Sequence, residues 1–427
     1  MIQSQANPRP VEPRLAPRFH ALLEEFPPLP DRPLTQQRAE ALMADAVQWK
    51  ASDVHIEPSH TETRLRFRVD GVLHDAAAVP AFSGHRLTAF FKTLSQIDAL
   101  ALARPEHGHG RLEIADTVVE LRTTVAPTAA GEMLGMRLLD RRRPLLHLDD
   151  LGMTQADQTT LTAWLEGMRG MLLVGGPVGS GKTSTLYALL HELQKLPRSI
   201  ITVEDPVECN LDGITQIEVN AKRGLHFPDA TRAMLRLDPD FLLVGEIRDP
   251  ESAHVAITAA GSGHALLSTI HARDAVGTVT TLRNVGAKDW EIAAALEVSL
   301  SQRLVRRLCP DCRFERDTAD HERSAFSAAG IEPPPQLSVA TGCPNCAGTG
   351  FAGRIGLFEL WRLDPAAHQL IADAADGLDL ARHALRHGLR PLLHDALDKV
   401  AAGRTTLEEI RSILAEGSRA ATAYAVS

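Results

Sequence analysis

Four mostly apolar runs, at 171–174, 199–203, 241–244 and 265–268, set the pattern of the middle of the chain, which reads strand, helix, strand. Short apolar runs without alternation suit strands covered on both faces, so residues 150–308 are expected to form a doubly wound α/β core. Upstream the pattern changes. Ala39, Leu42, Met43 and Ala46 recur at helical spacing between Thr35 and Trp49. Arg64 to Val69 then alternates, Asp70-Gly71 signals a turn, and Val72-Leu73 resumes the strand pattern. A smaller α+β domain over 35–140 fits, closed by a linker at 141–149 that opens on Arg141-Arg142-Arg143-Pro144. Residues 1–34 hold eight prolines and no sustained periodicity, which predicts a flexible leader. Residues 309–360 combine turn residues with paired cysteines and read as an insert. The stretch 361–427 reads as helical, with Gly388 and Gly403 as stops.

The chemistry sits where the first of the apolar runs ends. Gly176-Pro177-Val178-Gly179-Ser180-Gly181-Lys182-Thr183 follows Met171 to Val174 and precedes a helix-compatible stretch that starts at Ser184. Strand, glycine loop and helix together make a phosphate cradle: backbone N–H groups curl round the anion and the helix dipole favours it. In this arrangement Lys182 reaches the β and γ phosphates and the Thr183 hydroxyl ligates Mg²⁺. The sequence thus predicts a nucleoside triphosphate site.

Two acidic strand ends accompany the loop. Phe241-Leu242-Leu243-Val244-Gly245-Glu246 has the form of a second nucleotide-site strand, but Gly245 stands where such strands often carry a metal-holding Asp. Another carboxylate is therefore needed, and Ile201 to Pro206, which ends in Glu204 and Asp205, is the candidate segment. Each acid alone reads equally well as a loop cap; beside a phosphate loop, one on the metal's water shell and one on the attacking water is the favoured division. His264 and His271 bracket the last apolar run, and on their own read as ordinary partly buried histidines. Arg122 and Arg137 flank Ala129-Ala130-Gly131, so a hairpin would present both; alone they read as solvated arginines. Arg232 and Arg236 share a helical face and fit either a nucleotide cleft or surface ion pairs.

Composition narrows the class. The 427 residues are 44% hydrophobic and 23% charged, with a net charge of −9, values of a globular protein without an extended nucleic-acid groove. The first thirty residues lack an apolar signal core, which points to the cytosol. In a reducing compartment Cys309-x-x-Cys312 and Cys343-x-x-Cys346 read as two knuckles of a closed tetrahedral Zn²⁺ site with a structural role. Cys209 is expected to be packed in an interior.

These motifs together resemble the secretion-superfamily ATPases, specifically the assembly motors of type II secretion and type IV pili. The resemblance is carried by Ala51-Ser52-Asp53-Val54-His55-Ile56-Glu57-Pro58, the phosphate loop, Ile201 to Glu208, Leu243 to Asp249 and Gly263 to Ala272. The cysteine pairs, Gly353 to Glu359 and Thr405 to Glu409 extend it. It implies a RecA-like doubly wound P-loop ATPase domain preceded by a smaller α+β (PAS-like) N-terminal domain, with a zinc knuckle and a helical C-terminal segment. It implies a homo-hexamer at the cytoplasmic face of the inner membrane, ATP and Mg²⁺ held between the two main domains, and a membrane platform protein as partner. A membrane-anchored adaptor is a further expected partner. The nucleotide is expected on Gly176 to Ser184, with Glu204, His264 and His271 matching the family's acidic and histidine boxes and Arg122 and Arg137 its N-terminal-domain arginines. Retraction motors generally lack the zinc knuckle, which favours assembly. Two features depart from the family: only the proline-rich leader precedes the helix at 35, and Pro105-Glu106-His107-Gly108-His109-Gly110-Arg111 replaces a shorter Pro-Gln-Asp-Gly-Arg run.

Other readings predict different behaviour. A DNA-uptake pilus motor shares every motif. A nucleic-acid-stimulated ATPase would use Arg303, Arg306 and Arg307 beside Cys309 as its contact patch, against the acidic overall charge. A non-hydrolysing ring would not need the catalytic acids.

Overall fold

The computed structural model describes residues 15–24, 33–99, 104–114, 117–139, 146–220 and 223–415, and divides the chain into two units. The first comprises 1–143, 309–312 and 340–353; the second comprises 144–308, 313–339 and 354–427.

In the first unit, helices α1 (Pro17–Glu24), α2 (Leu34–Gln48) and α3 (Ala81–Leu94) accompany strands β1 (Asp53–Pro58), β2 (Glu62–Val69), β3 (Val72–Pro80), β4 (Glu106–Ile114), β5 (Thr117–Thr128) and β6 (Gly131–Leu139). The strands form one sheet in the order β3-β2-β1-β6-β5-β4. Asp70 and Gly71 both take positive φ, as the tight turn between β2 and β3 requires. Alternation sorts the sheet. Val54, Ile56, Leu65, Phe67, Leu121, Val125, Leu134 and Met136 join the core with the helices. The opposite face carries a register row of Arg68, Asp53, Arg137, Arg122 and His109.

The leader departs from expectation. Residues 17–24 are helical, and Leu15, Ala16 and Phe19 are buried in the same core. The Asp45 carboxylate anchors this helix by accepting from the Phe19 N–H at 2.9 Å and from Arg18 at 3.1 Å. The remaining leader positions 1–14 and 25–32 lie outside the described residues. The histidine-containing run 105–111 also resolves into regular structure, because β4 pairs with β5 without a break. A Cβ at Gly108 would fall 2.1 Å from the Ser95 carbonyl, so this glycine lets the end of α3 pack directly on the strand.

In the second unit, α4 (Gln155–Gly167) leads to β7 (Gly170–Gly175), α5 (Lys182–Leu193), β8 (Ile200–Glu204), β9 (Thr215–Glu218), α6 (Phe227–Met234), β10 (Phe241–Val244), α7 (Pro250–Gly261) and β11 (Ala265–Ile270). Then come α8 (Gly277–Asn284), α9 (Asp289–Ala295), β12 (Leu296–Leu308), β13 (Phe314–Asp317), α10 (Asp320–Ala328), β14 (Gln336–Val339), β15 (Phe351–Arg362), α11 (Pro365–Ala372), α12 (Gly377–Arg386) and α13 (Leu392–Ala401). The main sheet has the order β15-β12-β7-β11-β10-β8-β9. Pairings from β12 through β9 are parallel. Successive residues of each strand feed opposite cores: Met171 and Leu173 pack towards α6, α7 and α9, Leu172 and Val174 towards α4 and α5. This is why the runs are continuously apolar. Gly388 and Gly403, both at positive φ, follow the ends of α12 and α13.

The stretch 309–360 does not behave as one insert. Its cysteine knuckles group with the first unit, while β13, α10 and β14 group with the second. Ala347 packs into the core of the first unit, and the Gly353 N–H donates to Asp70 at 2.8 Å.

Candidate functional site

The loop after β7 occupies the carboxyl edge of the parallel sheet, the edge at which open α/β folds bind ligands. Gly176, Gly179 and Gly181 all take positive φ, and a Cβ at Gly176 would lie 2.5 Å from Ser180 Oγ. Only glycine leaves this cradle open. Ser180 Oγ is buried without a hydrogen-bond partner, and Pro177, Val178 and Gly179 are exposed. Lys182 opens α5; its amine donates to the carbonyls of Gly176 at 2.8 Å and Pro177 at 3.2 Å. Burial lowers its pKa, the Glu246 carboxylate opposes that shift and Arg303 adds to it. Thr183, half-buried, and Ser184, exposed, follow in the first turn. Free N–H groups, an unmet hydroxyl and a desolvated amine form a donor set that fits a polyphosphate.

The loop is held from β12. Gln302 is buried; its Nε2 donates to the Ser180 carbonyl at 2.7 Å and its Oε1 accepts from Thr185 Oγ1 at 2.8 Å. One side chain thus fixes both the loop and the helix it feeds. Gln302 belongs to no motif, and a polar side chain within a buried strand is its one trace in the sequence. Arg303 beside it donates to the Gln302 and Arg273 carbonyls.

Glu246 follows β10 and keeps a partly exposed carboxylate. One oxygen meets His271 Nε2 at 2.8 Å, the other meets Arg248 Nε at 2.7 Å. The other nitrogen of His271, Nδ1, lies 3.2 Å from the Gly176 carbonyl. Both ring nitrogens therefore face oxygen atoms, one on the acid and one on the loop. A chain of contacts runs from the acid through His271 to the phosphate loop. Arg248 is a second residue that the sequence reading did not single out. Gly245 has a steric reason as well: a Cβ there would stand 3.2 Å from the Val203 carbonyl of β8.

Glu204 differs from Glu246. It is buried, with Oε2 accepting from the Tyr187 hydroxyl at 2.5 Å and Oε1 accepting from Thr202 at 2.6 Å and Gln216 at 3.1 Å. Burial and this carboxylate push the Tyr187 phenol far above its usual range, so it remains a donor. Three donors engage the carboxylate and tie β8, β9 and α5 together.

The histidines separate. His271 stands at the carboxyl end of β11, but His264 precedes the strand, about 20 Å away at ~3.3 Å per residue. His264 Nδ1 instead faces the Ala259 carbonyl and Ser262 Oγ. It is removed from the phosphate loop because the whole strand lies between. Arg122 and Arg137 are brought together, directly opposite across the β5–β6 hairpin, with Arg137 Nε 3.2 Å from Asp53. Arg232 forms ion pairs with Asp229 and Glu251. Arg306 is paired in two-pronged fashion with Glu409, which removes much of its charge from a nucleic-acid patch. Cys209 is half-exposed, not interior, because its segment loops out after β8.

The four knuckle cysteines converge, with Sγ separations of 3.9 Å (Cys309–Cys343), 3.8 Å (Cys312–Cys346) and 3.7 Å (Cys343–Cys346). A tetrahedron with ~2.3 Å Zn–S bonds has an edge of about 3.8 Å, whereas a disulfide would need ~2.05 Å. The N–H groups of Cys343 and Gly350 each donate to Cys346 Sγ at 3.2 Å. Burial alone would raise the Cys346 pKa, yet these bonds bring it down to about 7. The donor set and spacing fit a thiolate-bound zinc.

Residues 30–412 match the family model described as Type II/IV secretion system protein. The chain is 37% identical over 404 residues to the type II secretion system protein E of Aeromonas hydrophila, covering 93% of this chain and 80% of that protein. It is 36% identical over 375 residues to the type IV pilus assembly ATPase PilB of Myxococcus xanthus, covering 86% and 66% respectively. Among solved structures, the Legionella pneumophila ATPase DotB superposes with a TM-score of 0.66 at 18% identity, over 91% of this chain and 98% of that one. The pilus retraction motor PilT with bound ADP reaches 0.53 at 20% identity, over 84% and 96%. These two likenesses concern the fold.

Proposed function

Because the chain belongs to the type II/IV secretion system protein family and is an ATPase, we propose that it drives assembly of a type II secretion pseudopilus or a type IV pilus. The observation that carries this reading is the phosphate loop joined through His271 to Glu246, a carboxylate left accessible beside the desolvated Lys182. ATP is held by Gly176 to Ser184, with Lys182 on the β and γ phosphates and Thr183 on the Mg²⁺ that neutralises phosphate charge when bound. Glu246 orients the attacking water and takes up its proton; His271 positions the acid against the loop. Glu204 acts as the brace that keeps β8 and α5 in place. Zinc at Cys309, Cys312, Cys343 and Cys346 is structural, and its knuckle supports assembly over retraction.

The working form is a homo-hexamer in the cytoplasm against an inner-membrane platform protein, where Arg122 and Arg137 supply positive charge to the transition state. No described helix is long and apolar enough to cross a membrane. Glu246→Gln tests the chemistry. It should cut turnover by roughly 10²–10⁴-fold with ATP still bound. Undiminished turnover would move the water-orienting role to Glu204.

A further inference from the structure

Outside the nucleotide site and the thiolate cluster, one other group of metal-ligating side chains converges among the described residues. Asp364, His383 and His387 each bring one liganding atom within 4.8 Å of the others. Asp364 caps α11, accepting from the Ala367 N–H at 2.7 Å. His383 lies in the last turn of α12 and His387 immediately follows it, so the imidazoles are four residues apart on one helical face. His383 Nε2 is 3.0 Å from both Asp364 oxygens. The two rings stack with centroids 4.0 Å apart. His387 Nδ1 lies 2.9 Å from the His383 carbonyl. Donation to that acceptor fixes the tautomer and leaves Nε2 with its lone pair, the usual arrangement of a metal-bound histidine.

We propose that Asp364, His383 and His387 bind a divalent transition-metal ion, with Zn²⁺ the best chemical match, and so clamp the start of α11 to the end of α12. Two imidazoles and a carboxylate are a borderline donor set that suits zinc and disfavours Mg²⁺ or Ca²⁺, which prefer oxygen alone. Nitrogen and oxygen ligands of a tetrahedral zinc with bonds of ~2.05 Å stand about 3.3 Å apart, so the 3.0 Å between His383 Nε2 and the carboxylate has to open by a few tenths of an ångström as an ion replaces the shared proton. His387 is exposed and adjusts by side-chain rotation. His383 also lines a surface cleft with Gln369, Asp379 and Arg386, so this ligand is reached from solvent. His368, one turn along α11 from Asp364, keeps a buried Nε2 with no hydrogen-bond partner, an unmet donor or acceptor on the same helix. A plain His383–Asp364 ion pair accounts for those two residues, while stacking and the bond to the His383 carbonyl hold the His387 imidazole beside them.

The test is equilibrium dialysis of the full chain against micromolar Zn²⁺, with bound zinc counted per chain. His387→Ala removes an exposed side chain, and Asp364→Asn keeps the helix cap while removing the charge. His387→Ala is expected to hold one zinc fewer than the unmodified chain, and Asp364→Asn to bind that ion at least tenfold more weakly. Because the criterion is a difference, it is independent of the thiolate site. Equal zinc content in the unmodified chain and His387→Ala would overturn the proposal and leave an ion pair. With Co²⁺ as the probe, loss of a visible band that lacks thiolate charge transfer in His387→Ala gives the same answer spectroscopically, and an unchanged band contradicts it.

Discussion

Two glutamates that look alike in sequence stand in different surroundings. Glu204 ends and Glu246 follows a buried strand, yet three neutral donors surround the first while an arginine and a histidine flank the second. Glu204→Gln should therefore act on stability, because its amide N–H groups would face donors in a buried site. A loss of about 1–3 kcal/mol, read from thermal or denaturant unfolding, is the expected outcome. Gln302→Ala leaves the Thr185 hydroxyl unpaired and releases the loop at Ser180. It should raise KM for ATP more than it lowers kcat, since the loop's position rather than the attacking water is disturbed; a fall in kcat alone would argue against that role. The phosphate loop was legible because its motif is local and sits between strand and helix. Gln302, Arg248 and Tyr187 were not, because their partners lie on other strands and helices, and no local spacing announces such contacts.

At the scale of elements, the apolar runs at 171–174, 241–244 and 265–268 became β7, β10 and β11 with little change in bounds. Runs without alternation need helices on both faces, and the two cores on either side of the sheet supply them. The helix within the leader is hidden in the sequence by local proline content, because its apolar residues find their partners in a distant core. His264 and His271 separate for a related reason: residues that bracket a strand in sequence end up at its opposite ends. The cysteine spacing correctly announced a four-thiolate cluster, but not that it would associate with the first unit, which depends on Ala347 and Asp70. Cys343→Ser is expected to lose zinc from this cluster and lower the unfolding temperature, as a strong chelator should in the unmodified chain. Zinc content unchanged by the substitution would contradict the assignment.

For the whole molecule, the doubly wound core and the α+β unit were both foreseeable from changes in hydrophobic period along the chain, and assembly was foreseeable only through the resemblance. A motor that uses arginines from one unit on nucleotide bound by another copy cannot be fully active as a monomer. The electrostatic contribution of such an arginine is large, on the order of 10³–10⁵ in rate where it has been isolated in other nucleotide hydrolases. The most direct test is therefore ATP turnover per chain measured against protein concentration, with mass by light scattering on the same samples. Specific activity that climbs in step with hexamer formation is the predicted result. A monomer that hydrolyses ATP at the full rate would contradict the shared-site account.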